Sequence, residues 1–210
     1  MIVEHRGRRP RIDRSAYVAS DARVCGDVEI GPGGAVLSGA VLTGEGGPVS
    51  VGECCVIMER AVVRGVPGHA CELGDHVLVG PGAHLAGCAV EDRSFLATGV
   101  TVLNGARIGR LADVRINAVV HVRTRLPPET TIPIGWVAVG DPAEVYPPGA
   151  HERIWAVQRT LRFRDAAFRM DDLPRERFME EMTRRYARAL ARHRDDRQLS
   201  WREFTIGEVP

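Results

Sequence analysis

An aliphatic residue recurs every six positions through most of this chain, beginning at Ile12, Val18, Val24, Ile30, Val36 and Leu42. A three-residue insertion around Glu45 to Pro48 interrupts the series, which resumes at Val51, Ile57 and Val63. A four-residue insertion within 64–72 shifts it to Leu73, Val79 and Leu85; after one five-residue step it continues through Val90, Leu96, Val102, Ile108, Val114 and Val120. Each hexad reads aliphatic, then often Gly, Glu or Asp, two variable residues, a small residue and another variable one, as in I-G-P-G-G-A at Ile30. An amphipathic helix repeats every 3.6 residues and a half-buried strand every two, so neither produces six. A triangular parallel β-helix does: each hexad makes one short strand and one corner, three hexads make a coil, and coils stack about 4.8 Å apart. The aliphatic column then fills the interior, small residues fit its narrow corners, and glycine supplies positive φ where a corner needs it.

Composition agrees with a thin, repetitive core: 23 glycines and 13 prolines in 210 residues, with only 5% aromatic. Eight of the eleven aromatics lie from Tyr146 onward, which marks a change of architecture. The sequence therefore divides into a mainly β unit, residues 1–148, and a C-terminal helical extension, 149–210. His151 to Met170 reads as one helix with Ile154, Val157 and Leu161 on a shared face. Asp171 or Asp172 is placed to cap a second helix that takes Pro174 in its first turn. That helix carries Phe178, Met182, Tyr186 and Leu190 as an apolar stripe for the β-helix or a neighbouring subunit, and its arginines alternate with Glu176, Glu180, Glu181, Asp195 and Asp196 as a solvated face rather than a nucleic-acid arm.

All 28 basic residues are arginines, so lysine Schiff-base and phosphate-loop chemistry are excluded. A formal charge of +1 gives no electrostatic case for nucleic acid or an anionic membrane. No segment has the length and apolarity of a membrane span, and the polar stretch from Met1 to Arg14 does not read as a signal peptide, so a cytoplasmic protein is expected. Cys25, Cys54, Cys55, Cys71 and Cys88 form an odd set without C-x-x-C spacing. They read as buried small apolar residues rather than disulfides, a cysteine zinc site or, for the adjacent Cys54 and Cys55, a nucleophile.

The runs V-G-E-C-C-V-I-M-E-R-A-V-V-R-G (51–65), L-G-D-H-V-L-V-G-P-G-A-H-L-A-G-C (73–88) and I-P-I-G-W-V-A-V-G-D-P-A-E-V (132–145) resemble the γ-class carbonic anhydrase-like branch of the hexapeptide-repeat proteins. I-W-A-V-Q-R-T-L-R-F (154–163) is similar to the C-terminal helix of its phenylacetate-degradation and carnitine-operon members. The resemblance covers residues 12–170. It implies a left-handed β-helix, a homotrimer, and zinc between subunits held by three histidines: one closing V-V-H-G and two in G-H-G-A-x-L-H-G-C. The matching positions here are Arg64, Pro81 and Ala86, none of which offers zinc an N, O or S ligand. The Arg-Gly-Asp element of that pattern matches Ser38, Gly39 and Ala40, and its Gln-Asp pair matches Met58 and Glu59. No metal and no cofactor is therefore expected, and ordinary carbonic anhydrase activity is not, because nothing would bring a water's pKa toward neutrality.

On the same resemblance, Ser38, Glu59 and Pro81 of one subunit face Arg64, His84 and Ala86 of the next. Arg64 would grip a carboxylate, phosphate or thioester-derived anion while His84 or Glu59 moves a proton; alternatively, Arg64 and Glu59 form only an inter-subunit ion pair. Thr98 and Asn104, near corners of later coils, are further candidates for ligand contact. His121 invites comparison with the general base of hexapeptide acyltransferases, although its surroundings do not repeat their motif. His69, His76, His84 and His121 lack the spacing of a metal site. Three functions stay open: a metal-free relative acting on a small carboxylate or acyl thioester, an acyltransferase with acyl-CoA as substrate, and a non-catalytic trimeric scaffold or regulatory subunit.

Overall fold

The computed structural model describes residues 1–170 and 173–206. The hexads form a left-handed parallel β-solenoid of about 8 turns, followed by short helices. One face is a seven-stranded sheet built from Tyr17–Val18, Ala35–Val36, Val56–Ile57, Leu78–Val79, Phe95–Leu96, Asp113–Val114 and Thr131–Ile132. A second face stacks Val62–Arg64, His84–Ala86, Thr101–Val102, Val119–Val120 and Val137–Val139. The third stacks Cys71–Leu73, Ala89–Val90, Arg107–Ile108 and Arg125–Leu126. Two long strands, Arg23–Ile30 and Val41–Val51, pass around a corner and join the second and third faces into one 16-stranded sheet.

Register confirms the six-residue period. On the second face Leu42 pairs with Val63, Val63 with Leu85, Leu85 with Val102, Val102 with Val120 and Val120 with Ala138. All six are fully buried, while their strand neighbours point outward. The series runs further than Val120, through Leu126, Ile132 and Ala138, before the antiparallel pairing of Val137–Val139 with Glu144–Tyr146 ends the coils. Corners reverse the chain with residues at positive φ, and many are not glycine: Cys54, Arg60, His76, Arg93, Leu111, Asn117, Arg123 and Glu129 all lie between 52° and 62°. Cys54 is thus exposed at a corner instead of packed, whereas Cys55 is buried as expected.

The expected helix over 151–170 is broken. Helix α1 spans His151–Gln158, a 3₁₀ turn covers Arg159–Leu161, and α2 spans Phe163–Phe168. The break falls at Arg162, whose φ of 48° is left-handed and cannot continue an α-helix. Ile154 with partly buried Val157 and Leu161 packs against Val139 and Tyr146, which closes the C-terminal end of the core. Helix α3 spans Arg175–Leu190; its proposed caps, Asp171 and Asp172, lie outside the described residues. Its stripe is buried at Phe178, partly buried at Met182 and exposed at Tyr186 and Leu190, and Glu180 and Glu181 pair with Arg184 and Arg185 on the outer side.

After α3 the chain returns to its own beginning. Arg197–Gln198 pairs antiparallel with Ile2–Glu4, and Thr205–Ile206 pairs parallel with Arg11–Asp13. Between them Ser200 and Glu203 cap the short helix α4, Trp201–Phe204, as a reciprocal capping box. Leu199 and Phe204 join the core cluster beside the first coil. An open solenoid end would leave aliphatic rungs in water, and these two side chains cover it.

Candidate functional site

Strand alternation sets the site. Leu85 points inward, so His84 and Ala86 point out of the second face, and register carries the Ala86 position to neighbouring coils. Ala86 pairs with Arg64, Arg64 with Thr43 and Thr43 with Cys25. An outward column therefore runs Cys25, Thr43, Arg64, Ala86 along one edge of the face. The His84–Thr101–Val119 register places Leu103 and His121 further up that edge.

The helices roof this edge. Asn104 is buried and its Nδ2 donates to the Ala166 carbonyl at 3.2 Å, while Arg123 donates to the Leu161 carbonyl and, at 2.7 Å, to the Asp165 carboxylate. Those bonds fix α2 across the face, and Phe168 meets Phe178 and Tyr186 of α3 edge-on at 5.7 and 6.5 Å between ring centres. Two adjoining cavities remain beneath. One, of 190 Å³, is lined by Arg64, His84, Ala86, Asn104, Phe163 and Phe168. The other, of 260 Å³, runs from Arg64, Arg169, Arg185 and Arg192 to His5 and His193. Arg64, Ala167, Phe168 and Tyr186 wall both.

Arg64 is the chemically conspicuous member. Its Nε is buried and has no hydrogen-bond partner, and it has no ion pair among the described residues. A buried charged donor left unpaired costs more than the 1–3 kcal/mol typical of a neutral one, so an acceptor belongs there. His84 faces the same cavity; burial, and then the Arg64 cation, hold its pKa below the ordinary histidine value. It is a neutral imidazole at pH 7, able to accept a proton. His121 is buried under α2, its ring 5.9 Å from Phe163 and its Nδ1 without a partner, so a solvent-borne acceptor substrate does not reach it in this arrangement.

The remaining sequence candidates lie on a different edge. Pro81 and Thr98 line a 470 Å³ depression with Met58, Phe95, Ile116 and Ile134, beside the seven-stranded face. Ser38 is exposed and donates from its hydroxyl to Asp21; Glu59 is exposed at a corner, where its backbone carbonyl accepts from the Gly82 amide at 2.9 Å. Within one chain, Arg64, His84, Ala86 and Asn104 are brought together, and Ser38, Glu59, Pro81 and Thr98 are not brought to them.

A zinc ion placed as the resemblance implies does not fit these residues. Pro81 and Ala86 have no side-chain donor, and Arg64 presents a cation. Among the described residues the group able to hold a metal is another one, His5, Cys25, His193 and Asp196, whose candidate ligand atoms all lie within 4.8 Å of one another. His69, His76, His84 and His121 are not in it, and Asp196, expected on a solvated face, is instead largely buried between His5 and His193. Burial first, then Glu45 and Asp196, push the Cys25 thiol up to about 12, which excludes it as a free thiolate nucleophile. The residues that build this cluster and the 260 Å³ cavity come from the chain's two ends, which no local motif links.

No protein-family model matches the chain. The Arabidopsis thaliana protein gamma carbonic anhydrase 1, mitochondrial, is 37% identical over 140 residues, which are 64% of this chain and 49% of that protein. A carbonic anhydrase of Geobacillus kaustophilus is 28% identical over 109 residues, 52% of this chain and 60% of that one. The chain spans about half the length of the plant relative it matches. Among solved structures, a hexapeptide transferase family protein from Anaplasma phagocytophilum aligns over 87% of this chain and 96% of its own, with 20% identity and a TM-score of 0.41. The relatives of this chain include gamma carbonic anhydrases, and its hexads form a parallel β-solenoid. Among the described residues no helix is long and apolar enough to cross a membrane.

Proposed function

We propose that this γ-carbonic anhydrase-like chain binds a small carboxylate in the cavities that meet at Arg64, without zinc at the positions the family resemblance assigns to it. The observation that carries the reading is the buried, unpartnered Nε of Arg64 where the two cavities meet, beside Phe168 and Tyr186, with Arg169, Arg185 and Arg192 outnumbering the Glu45 carboxylate around the larger one. A guanidinium presents parallel N–H donors that suit a carboxylate, and apolar walls strengthen that interaction by excluding water. His84 stands beside the bound anion as a neutral proton acceptor. Thioester-bound acyl groups that end in a carboxylate offer the same recognition element.

The test is titration calorimetry of the full chain with succinate. The wild-type protein binds it saturably, and Arg64→Gln weakens binding about 10- to 100-fold, the worth of a charge-assisted hydrogen bond of about 1.5–3 kcal/mol. Equal affinity in the two proteins would exclude Arg64 as the anion's partner. Acetyl-coenzyme A without a free acyl carboxylate, binding equally well in both, would favour the acyltransferase reading.

Subunit assembly belongs to the same proposal. The 470 Å³ depression is rimmed by Phe95, Ile116 and Ile134, all at least 43% exposed, with Tyr17 at 59% on the same sheet. Such clustered apolar exposure is characteristic of a contact surface. A homotrimer would bring Pro81, Thr98 and Glu59 of one subunit toward His84 of the next. Light scattering should give three times 22.9 kDa in solution, and a mass of 22.9 kDa would refute the trimer.

A further inference from the structure

We propose that His5, Cys25, His193 and Asp196 form a zinc site that fastens the C-terminal tail to the first coil of the solenoid. His5 Nδ1 donates to one Asp196 carboxylate oxygen at 2.6 Å, and His193 Nδ1 donates to the other at 2.7 Å. The two imidazole rings are 4.7 Å apart, and Cys25 Sγ lies 4.0 Å from Asp196 Oδ2. With zinc about 2.0 Å from nitrogen and 2.3 Å from sulfur, the edges of a tetrahedral site with one sulfur are about 3.3–3.5 Å. Ligand atoms that already sit within 4.8 Å of one another need only side-chain adjustments to enclose an ion.

The donor set is chemically selective. Two imidazoles, one thiolate and one carboxylate suit zinc, and four protein ligands make a closed site with a holding role rather than an open catalytic one. Cys25 is fully buried and His5 and Asp196 nearly so, while His193 is partly exposed, so three of the four ligands are shielded from water. The outer ring is also in place: His193 Nε2 lies 3.1 Å from Glu45 Oε2, the carboxylate–histidine arrangement that orients a metal-bound imidazole. Arg23, 3.5 Å from Asp196 Oδ2, would hold the carboxylate from the outside. Hydrogen bonds alone account for Asp196 and the imidazoles, but they leave the Cys25 sulfur at the outer limit of contact with its partners. Zinc binding would release the Cys25 thiol proton to solvent and leave each imidazole neutral with its ring proton on Nε2, which frees Nδ1 to ligate and lets His193 Nε2 donate to Glu45.

The ligands join distant parts of the chain, since His5 and Asp196 are 191 residues apart. The ion would therefore act on the tail that carries Leu199 and Phe204 over the solenoid end. The inference does not depend on the carboxylate reading, although His5 and His193 also wall the 260 Å³ cavity.

The full chain, purified free of metal, is titrated with zinc against a colorimetric chelator and, in parallel, with cobalt(II). One zinc per chain is expected, together with a cobalt spectrum showing a thiolate-to-metal charge-transfer band and tetrahedral d–d bands. Cys25→Ser removes the charge-transfer band and weakens zinc at least about 100-fold, while Glu45→Gln weakens it about 10-fold, as for other outer partners of a ligating histidine. Arg64→Gln leaves zinc stoichiometry unchanged, so loss of succinate binding and loss of zinc binding are read separately. A folded wild-type chain that takes up no zinc, or a cobalt complex without the thiolate band, overturns the proposal without recourse to any variant. So does unchanged zinc affinity in Cys25→Ser.

Discussion

Replacing Gly65 by alanine destabilises the folded chain by about 3 kcal/mol or more, at the upper end of what overpacking costs. Gly65 follows Arg64 at the point where the two insertions of the hexad series lie against each other, and its amide donates to the Thr43 carbonyl at 3.0 Å. A Cβ at this position would collide with the Gly47 backbone and come within 2.7 Å of the Pro48 carbonyl oxygen. The obstacles are main-chain atoms of the neighbouring coil, so no rotamer change relieves them and the coils themselves must move apart. Gly149→Ala is the matched control, because an added Cβ there meets nothing within 4 Å and its backbone is not left-handed. That control should change stability by less than about 0.5 kcal/mol. Urea unfolding of both variants checks the pair; equal midpoints would mean that the coils are not in contact at Gly65.

Leu85→Ala has a comparable cost from the opposite cause. Leu85 is fully buried on the second face, between Val63 below and Val102 above. In a solenoid each rung touches only the rungs next to it, and a short backbone strand held by ladder bonds on both sides cannot collapse into the space. The cavity should therefore persist, at a cost of about 3–4 kcal/mol, well above that of a relaxed site. The denaturant midpoint should fall with an unchanged slope. A loss below about 1 kcal/mol would show that the interior is not close-packed at this rung.

The coils were legible because period and alternation are local properties of sequence. Once Leu85 is inside, His84 and Ala86 must be outside, and the register to Arg64 follows from counting hexads. What lies over that edge was not legible. Arg162 adopts a left-handed conformation that nothing in L-R-F-R announces, and it turns α2 so that Phe168 roofs Arg64. Asn104 has the corner position of a ligand contact, yet its amide is engaged with the Ala166 carbonyl. The return of residues 197–206 to the first coil depends on pairing with strands almost two hundred positions earlier, which no repeat or spacing encodes. Cys25 illustrates the consequence: judged by cysteine spacing it is an ordinary buried residue, and only tertiary structure sets it beside His5, His193 and Asp196.

The Arg64 guanidinium itself gives the most direct measurement of the carboxylate site. In ¹⁵N–¹H spectra of the full chain, the Nε–Hε resonance of Arg64 is the one absent from Arg64→Gln. On titration with succinate this resonance should move saturably, because its N–H acquires the acceptor it lacks in the free protein. An Arg64 resonance that stays in place while succinate binds elsewhere, or while no succinate binds at all, would contradict the account.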